Sequence, residues 1–187
     1  MYQLHCTKKL LDRIKPSVIA SETTSSTLLG NWYATALFWK PQVALLVNEK
    51  TLLPVLMPLA PATDLVTRFP EYLAGVLAFH GKPRPFIDHE LSRMNEVQYC
   101  KTSNRSVVGI MNQFSYLAEG YRDYLETKDL LALSLRLSET PCSPLYKGAV
   151  SPGRELKQFI SSGKRTPARK INTQEINHEI LCKKNQR

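Results

Sequence analysis

The feature that most constrains this chain is an apolar stripe near its middle. Val107, Ile110, Met111, Phe114, Leu117, Tyr121 and the pair Tyr124-Leu125 recur at helical spacing, and a stripe of that length is expected to be buried against other elements. Directly before it stands a polar run, Thr102-Ser103-Asn104-Arg105-Ser106, and before that Val97-Gln98-Tyr99-Cys100 alternates as a short strand. The order strand, polar junction, helix follows. Ser103 or Asn104 suits the N-cap, because its side-chain oxygen accepts one of the unpaired amides of the first turn. Capping explains neither Arg105 nor Asn112, a poor helix former placed inside the helix. A helix start also presents free N–H groups and the positive end of the dipole to an anion, and an arginine adds a bidentate fork. Asn104, Arg105, Ser106 and Asn112 are therefore candidate ligand-binding residues.

The remaining elements follow from periodicity and punctuation. Tyr2 to Cys6 reads as a strand, and Thr7 as the cap of a helix carrying Leu10, Leu11 and Ile14, which ends at Lys15-Pro16. Residues 17–28 are rich in Ser and Thr and read as a loop. Trp32–Trp39, Val43–Val47 and Thr51–Met57, separated by the turns Lys40-Pro41-Gln42 and Asn48-Glu49-Lys50, predict a three-stranded antiparallel meander. Pro54 assigns the third strand to an edge or a bulge; the alternative for 31–38 is a short helix. Leu65, Val66, Phe69, Leu73, Val76 and Leu77 predict a helix over 62–79 with Thr63 as its cap and a kink or break at Pro70. A further helix over 86–94 gathers Phe86, Ile87, Glu90, Leu91 and Met94 on one side, and another covers 129–137. The expected fold is α+β: a small, mostly antiparallel sheet covered by helices on one face.

The chain has 187 residues, 43% of them hydrophobic and 22% charged, enough for one sizeable core. Charge divides it further: residues 1–146 hold 15 Lys and Arg against 13 Asp and Glu, whereas 147–187 hold 10 against 3. This pattern predicts a globular domain over 1–146 and a basic, partly flexible C-terminal extension over 147–187, with short helices at most near 155–160 and 174–181. Lys164, Arg165, Arg169, Lys170, Lys183 and Lys184 are the extension's candidate nucleic-acid contacts, and binding through them would depend strongly on salt. Trp32, Tyr33, Phe38 and Trp39 offer rings that either stack on bases or pack the core.

Several classes are set aside. No apolar run of 18 residues predicts a membrane span, and the N-terminus lacks the apolar core and cleavage site of a signal peptide, so a cytoplasmic protein is expected. Cys6, Cys100, Cys142 and Cys182 are far apart in sequence and read as free thiols rather than metal ligands or a disulfide framework. His5, His80, His89 and His178 show no ligand spacing, and hydrolase and phosphate-loop motifs are absent, so no metal, cofactor or catalytic residue is predicted.

Four stretches carry a resemblance: C-T-K-K-L-L-D-R-I at 6–14, L-G-N-W-Y-A-T-A-L-F at 29–38, V-N-E-K-T-L-L-P-V at 47–55 and T-S-N-R-S-V-V-G-I-M-N at 102–112. Together, over about residues 1–140, they resemble a bacterial family catalogued as a domain of unknown function. The resemblance implies a bacterial or phage origin and a small intracellular protein, and it runs through Thr7, Lys8, Lys9, Gly30, Trp32, Asn48, Thr51, Asn104, Arg105, Ser106, Met111 and Asn112. Gln113 stands where similar proteins carry an acidic residue.

The leading expectation is a non-enzymatic module that binds an anionic partner, nucleic acid first, through the basic extension and the Arg105 junction. A second expectation is a small enzyme for a phosphorylated or carboxylated substrate at Asn104, Arg105, Ser106 and Asn112, with Lys8 or Lys9 nearby. A third is a protein-partner module such as a toxin-neutralising protein.

Overall fold

The computed structural model describes residues 1–18 and 25–162. The proposed extension contacts Lys164, Arg165, Arg169, Lys170, Lys183 and Lys184, and the short helix expected over 174–181, lie outside the described residues.

Five strands form one sheet in the order β4-β3-β2-β1-β5, with β1 Tyr2–Cys6, β2 Trp32–Leu37, β3 Val43–Asn48, β4 Pro54–Pro58 and β5 Val97–Lys101. The meander β2-β3-β4 is antiparallel as expected. Pro54 opens β4, the edge strand, where no ladder amide is needed on its outer side. The expectation of a mostly antiparallel sheet is corrected: β1 lies between β2 and β5 and runs parallel to both, so the sheet is mixed. The connections give the reason. α1 (Lys8–Ile14) lies between β1 and β2, and a crossover of this kind carries the chain back to the end from which it started.

Helices also cover both faces, not one. Against the first face pack Leu10 of α1, Phe69, Leu73 and Leu77 of α2 (Leu65–Phe79), and Ile87 of α3 (Arg84–Ser92). They meet Tyr2, Leu4, Trp32, Ala34, Leu46 and Val55 of the sheet. Against the second face pack Val107, Met111 and Phe114 of α4 (Arg105–Tyr124) and Leu133 and Leu137 of α5 (Leu130–Ser138), meeting Tyr33, Leu45, Val47 and Leu56. This double burial is why β2 and β3 are buried along their whole length instead of alternating between core and solvent. The apolar packing continues beyond position 146: α6 (Pro152–Ser162) places Leu156 in the first-face core.

Two expected caps are filled differently. Thr7 occupies the N-cap position of α1, but its hydroxyl pairs with that of Thr35, 2.9 Å away, rather than with a helix amide. α2 follows a 3₁₀ turn at Ala62–Asp64 and has Asp64 at its N-cap; Thr63 donates to the Asp64 carboxylate at 2.8 Å. Pro70 lies within α2 without ending it. α5 guards the exposed side of β4, since Ser134 Oγ accepts the Leu56 amide at 2.8 Å, and this supplies a partner to an edge strand.

Candidate functional site

The polar junction before α4 is tied to the sheet by Tyr33. The tyrosine hydroxyl accepts the Asn104 amide at 3.3 Å, sits 3.3 Å from Ser103 Oγ and donates to Glu49 at 3.4 Å. Its ring stacks on that of His5, with centroids 4.5 Å apart and an interplanar angle of 11°. Burial raises the Tyr33 phenol above its ordinary value, partly offset by the hydrogen bonds from Ser103 and Asn104. Asn104 caps α4 in the expected way, its Oδ1 accepting the amides of Ser106 at 3.0 Å and Val107 at 3.3 Å. Ser103 and Asn104 therefore have complete structural work.

Arg105, Ser106 and Asn112 do not. All three are exposed, and Arg105 and Asn112, seven residues apart, share the solvent face of α4 with Tyr116, four residues further on. Lys8 and Lys9 are exposed at the start of α1. Lys9 joins Phe38, Trp39, Ser115, Tyr116 and Glu119 around a shallow hollow of about 380 Å3. Arg105 stands eleven residues before Tyr116, roughly 16 Å along the α4 axis at about 1.5 Å per residue. The candidate residues thus lie along one surface rather than converging on a pocket: Arg105 at one end, Asn112 between, and Lys9 with its neighbour Lys8 at the other.

The Lys9 end has a feature that periodicity alone did not pick out. Phe38 is 55% exposed and Tyr116 is 79% exposed, large apolar rings left to solvent on both sides of the hollow. Two cations flank the Phe38 ring, Lys9 Nζ at 5.9 Å and the Arg13 guanidinium at 5.6 Å from its centroid. Among the described residues none of Lys8, Lys9, Arg13, Lys101 and Arg105 forms an ion pair; the acid in the hollow, Glu119, reaches Arg122 at 3.9 Å. Phe38 stood among the aromatic residues of the sequence; its site partner Tyr116 was missed, and its spacing of four from Asn112 is the signal that places both on one face of α4. Arg13 carried no signal, because its role depends on where α1 packs.

Asn48 and Glu90, by contrast, are satisfied within the fold. Asn48 is fully buried; its amide donates to the carbonyls of Leu29 and Asn31, and its Oδ1 accepts from Lys50, Thr51 and the Thr51 hydroxyl. Glu90 is fully buried and accepts the amides of Leu28 and Leu29, the shortest at 2.7 Å. Desolvation holds its carboxyl above the usual range, opposed by those amides and by Lys50 and Arg93. The thiols of Cys6, Cys100 and Cys142 are free and buried, with Cys6 pushed up to about 12 and Cys142 to about 11 by burial, so they are protonated and unreactive. Among the described residues no group of three His, Cys, Asp or Glu could hold a metal ion, and no helix is long and apolar enough to cross a membrane.

The model of one family, the domain of unknown function DUF6933, matches residues 3–155. The chain belongs to the DUF6933 family. No curated protein and no solved structure matches it. Of the positions through which the sequence resemblance ran, Trp32 and Met111 are core residues of this DUF6933 domain, Asn48 and Thr51 lock a loop, and Asn104 caps α4. Lys8, Lys9, Arg105, Ser106 and Asn112 are left on the surface without such a task.

Proposed function

We propose that this DUF6933 domain is a non-enzymatic module of the bacterial cytoplasm that binds an anionic partner, single-stranded nucleic acid first among them, along the surface shared by α1 and α4. The observation that carries the reading is the pair of exposed rings, Phe38 and Tyr116, across one hollow with Lys9, with Arg13 beside Phe38 and no acid paired to either cation. Exposed aromatic faces interleaved with unpaired cations are what single-strand binders use: bases stack on the rings, and the cations neutralise phosphates without reading sequence. Arg105 and Asn112 extend the same face of α4, and the basic residues of the C-terminal extension add further phosphate contacts. The enzyme reading at Asn104, Arg105 and Ser106 has less support, because the Asn104 carboxamide is already engaged by two helix amides. No observation of this molecule favours a toxin-neutralising partner over nucleic acid.

The test is fluorescence anisotropy with labelled single-stranded and duplex RNA and DNA at low and moderate salt. The full chain binds single strands, with affinity falling as salt rises. Absence of binding at low salt, or equal preference for duplex in every salt, sinks the proposal.

A further inference from the structure

A second hollow, also lined by Trp39, has a volume of about 710 Å3, within the roughly 300–1,000 Å3 of small-molecule sites. Its floor is apolar, made by Val43 of β3, Pro58 of β4 and Leu130 and Leu133 of α5. Its wall is a ready-made stack: the Arg122 guanidinium lies 4.5 Å from the Trp39 ring centroid and is held in place by Asp123 at 2.8 Å. The rim is the turn between α4 and α5, fastened by the Thr127 amide to the Arg122 carbonyl at 3.3 Å and the Asp129 amide to Thr127 Oγ1 at 3.1 Å. Lys40 and Lys128 stand on this rim, both exposed and, among the described residues, without an ion pair. Once Asp123 is set against Arg122, Glu126 is the one acid left in the lining to oppose these two cations.

An apolar floor with a fixed aromatic wall and two unpaired cations at the mouth matches a particular ligand chemistry. We propose that this groove binds a small amphipathic organic anion. Its apolar body rests on Val43, Pro58, Leu130 and Leu133, and its carboxylate or phosphate lies between Lys40 and Lys128. The groove shares Trp39 with the surface assigned to nucleic acid, but its charge and floor belong to other residues, so the two readings stand separately.

The test uses the full chain and the fluorescent probe 1-anilinonaphthalene-8-sulfonate, an aromatic body with one negative charge. Wild-type protein binds it saturably at one site, with quenching of tryptophan emission. The double variant Lys40→Glu/Lys128→Glu, whose sites are exposed and whose melting temperature is checked, weakens the probe about tenfold. It leaves the uncharged N-phenyl-1-naphthylamine within about twofold. Leu130→Trp, which fills the groove, weakens both probes. Displacement by laurate marks an aliphatic carboxylate as the natural chemistry, and displacement by 1-naphthyl phosphate marks an aryl phosphate. Phe38→Ala and Tyr116→Ala leave probe affinity unchanged while lowering oligonucleotide affinity, so failure here is separable from failure of the nucleic-acid reading. Any of four results overturns the proposal: no saturable binding by the wild type, equal binding by the groove variants, displacement by neither competitor, or loss of the probe on Phe38→Ala.

Discussion

Two polar regions of this molecule contain similar kinds of residue and differ in how their hydrogen bonds and charges are used. Around Asn48 and Glu90, at the start of β2, every side-chain oxygen and nitrogen finds a protein partner, and the residues are sealed from water. Around Lys9, Phe38 and Tyr116, beyond the finish of β2, rings face solvent and, among the described residues, Lys9 and Arg13 form no ion pair. Burial of a polar group is costly unless its bonds are made, so the first region is explained by folding alone. Folding accounts for less of the second: Lys9 and Arg13 lie against the Phe38 ring, yet Phe38 and Tyr116 keep most of their surface in water, and that asymmetry is what points to a partner.

Mutations separate the regions on a single stability scale. Asn48→Ala removes five hydrogen bonds that hold the loops at 28–31 and 50–51. It leaves several buried groups without partners, so urea unfolding should show a loss of about 3 kcal/mol or more. Glu90→Gln keeps the shape but turns an N–H2 toward one of the two amides the carboxylate accepted, at a cost of roughly 1–2 kcal/mol near neutral pH.

Glu90 also carries a pH signature. Its folded carboxyl titrates above its unfolded value, so the native state binds the extra proton. Stability contributed by this group rises as pH falls through the folded value and is fully gained below the unfolded value. Glu90→Gln should flatten that acid-side rise in melting temperature; an unchanged profile would remove Glu90 as its source.

The junction before α4 divides within three residues. Asn104→Ala loses the cap and should cost about 1 kcal/mol, whereas Arg105→Ala should lie within about 0.5 kcal/mol of the wild type and lower oligonucleotide affinity. If Arg105→Ala destabilises as much as Asn104→Ala, the arginine belongs to the fold and the two regions are less distinct than described.

Local chemistry made much of the fold legible. Asn104 caps α4, Pro54 lies at an edge, and the meander follows its two turns, because each of these depends on residues near one another in sequence. The sheet's parallel half was hidden: nothing in Tyr2–Cys6 says that the strand will lie between β2 and β5, since that is decided by where α1 and α2 pack. The second covered face did leave a trace, in the unbroken apolar run V-A-L-L-V and in W-Y-A-T-A-L, broken only by Thr35, which an exposed sheet face would have interrupted more often. Of the site, Lys8, Lys9, Arg105 and Asn112 were visible as polar residues without a local task. That Arg105 and Asn112 on α4 share a surface with Lys8 and Lys9 on α1 was not visible, because the packing of the two helices on the sheet, with the chain returning over Tyr33, sets where each begins.

The most direct measurement is the affinity of a labelled single strand for the wild type, Phe38→Ala and Tyr116→Ala at low salt, with the melting temperature of each protein alongside. With base stacking on aromatic side chains at roughly 1–3 kcal/mol per base, each variant should lose about fivefold to a hundredfold in affinity while its melting temperature stays within a few degrees. Wild-type affinity in both variants, or losses that appear only together with unfolding, would contradict the account.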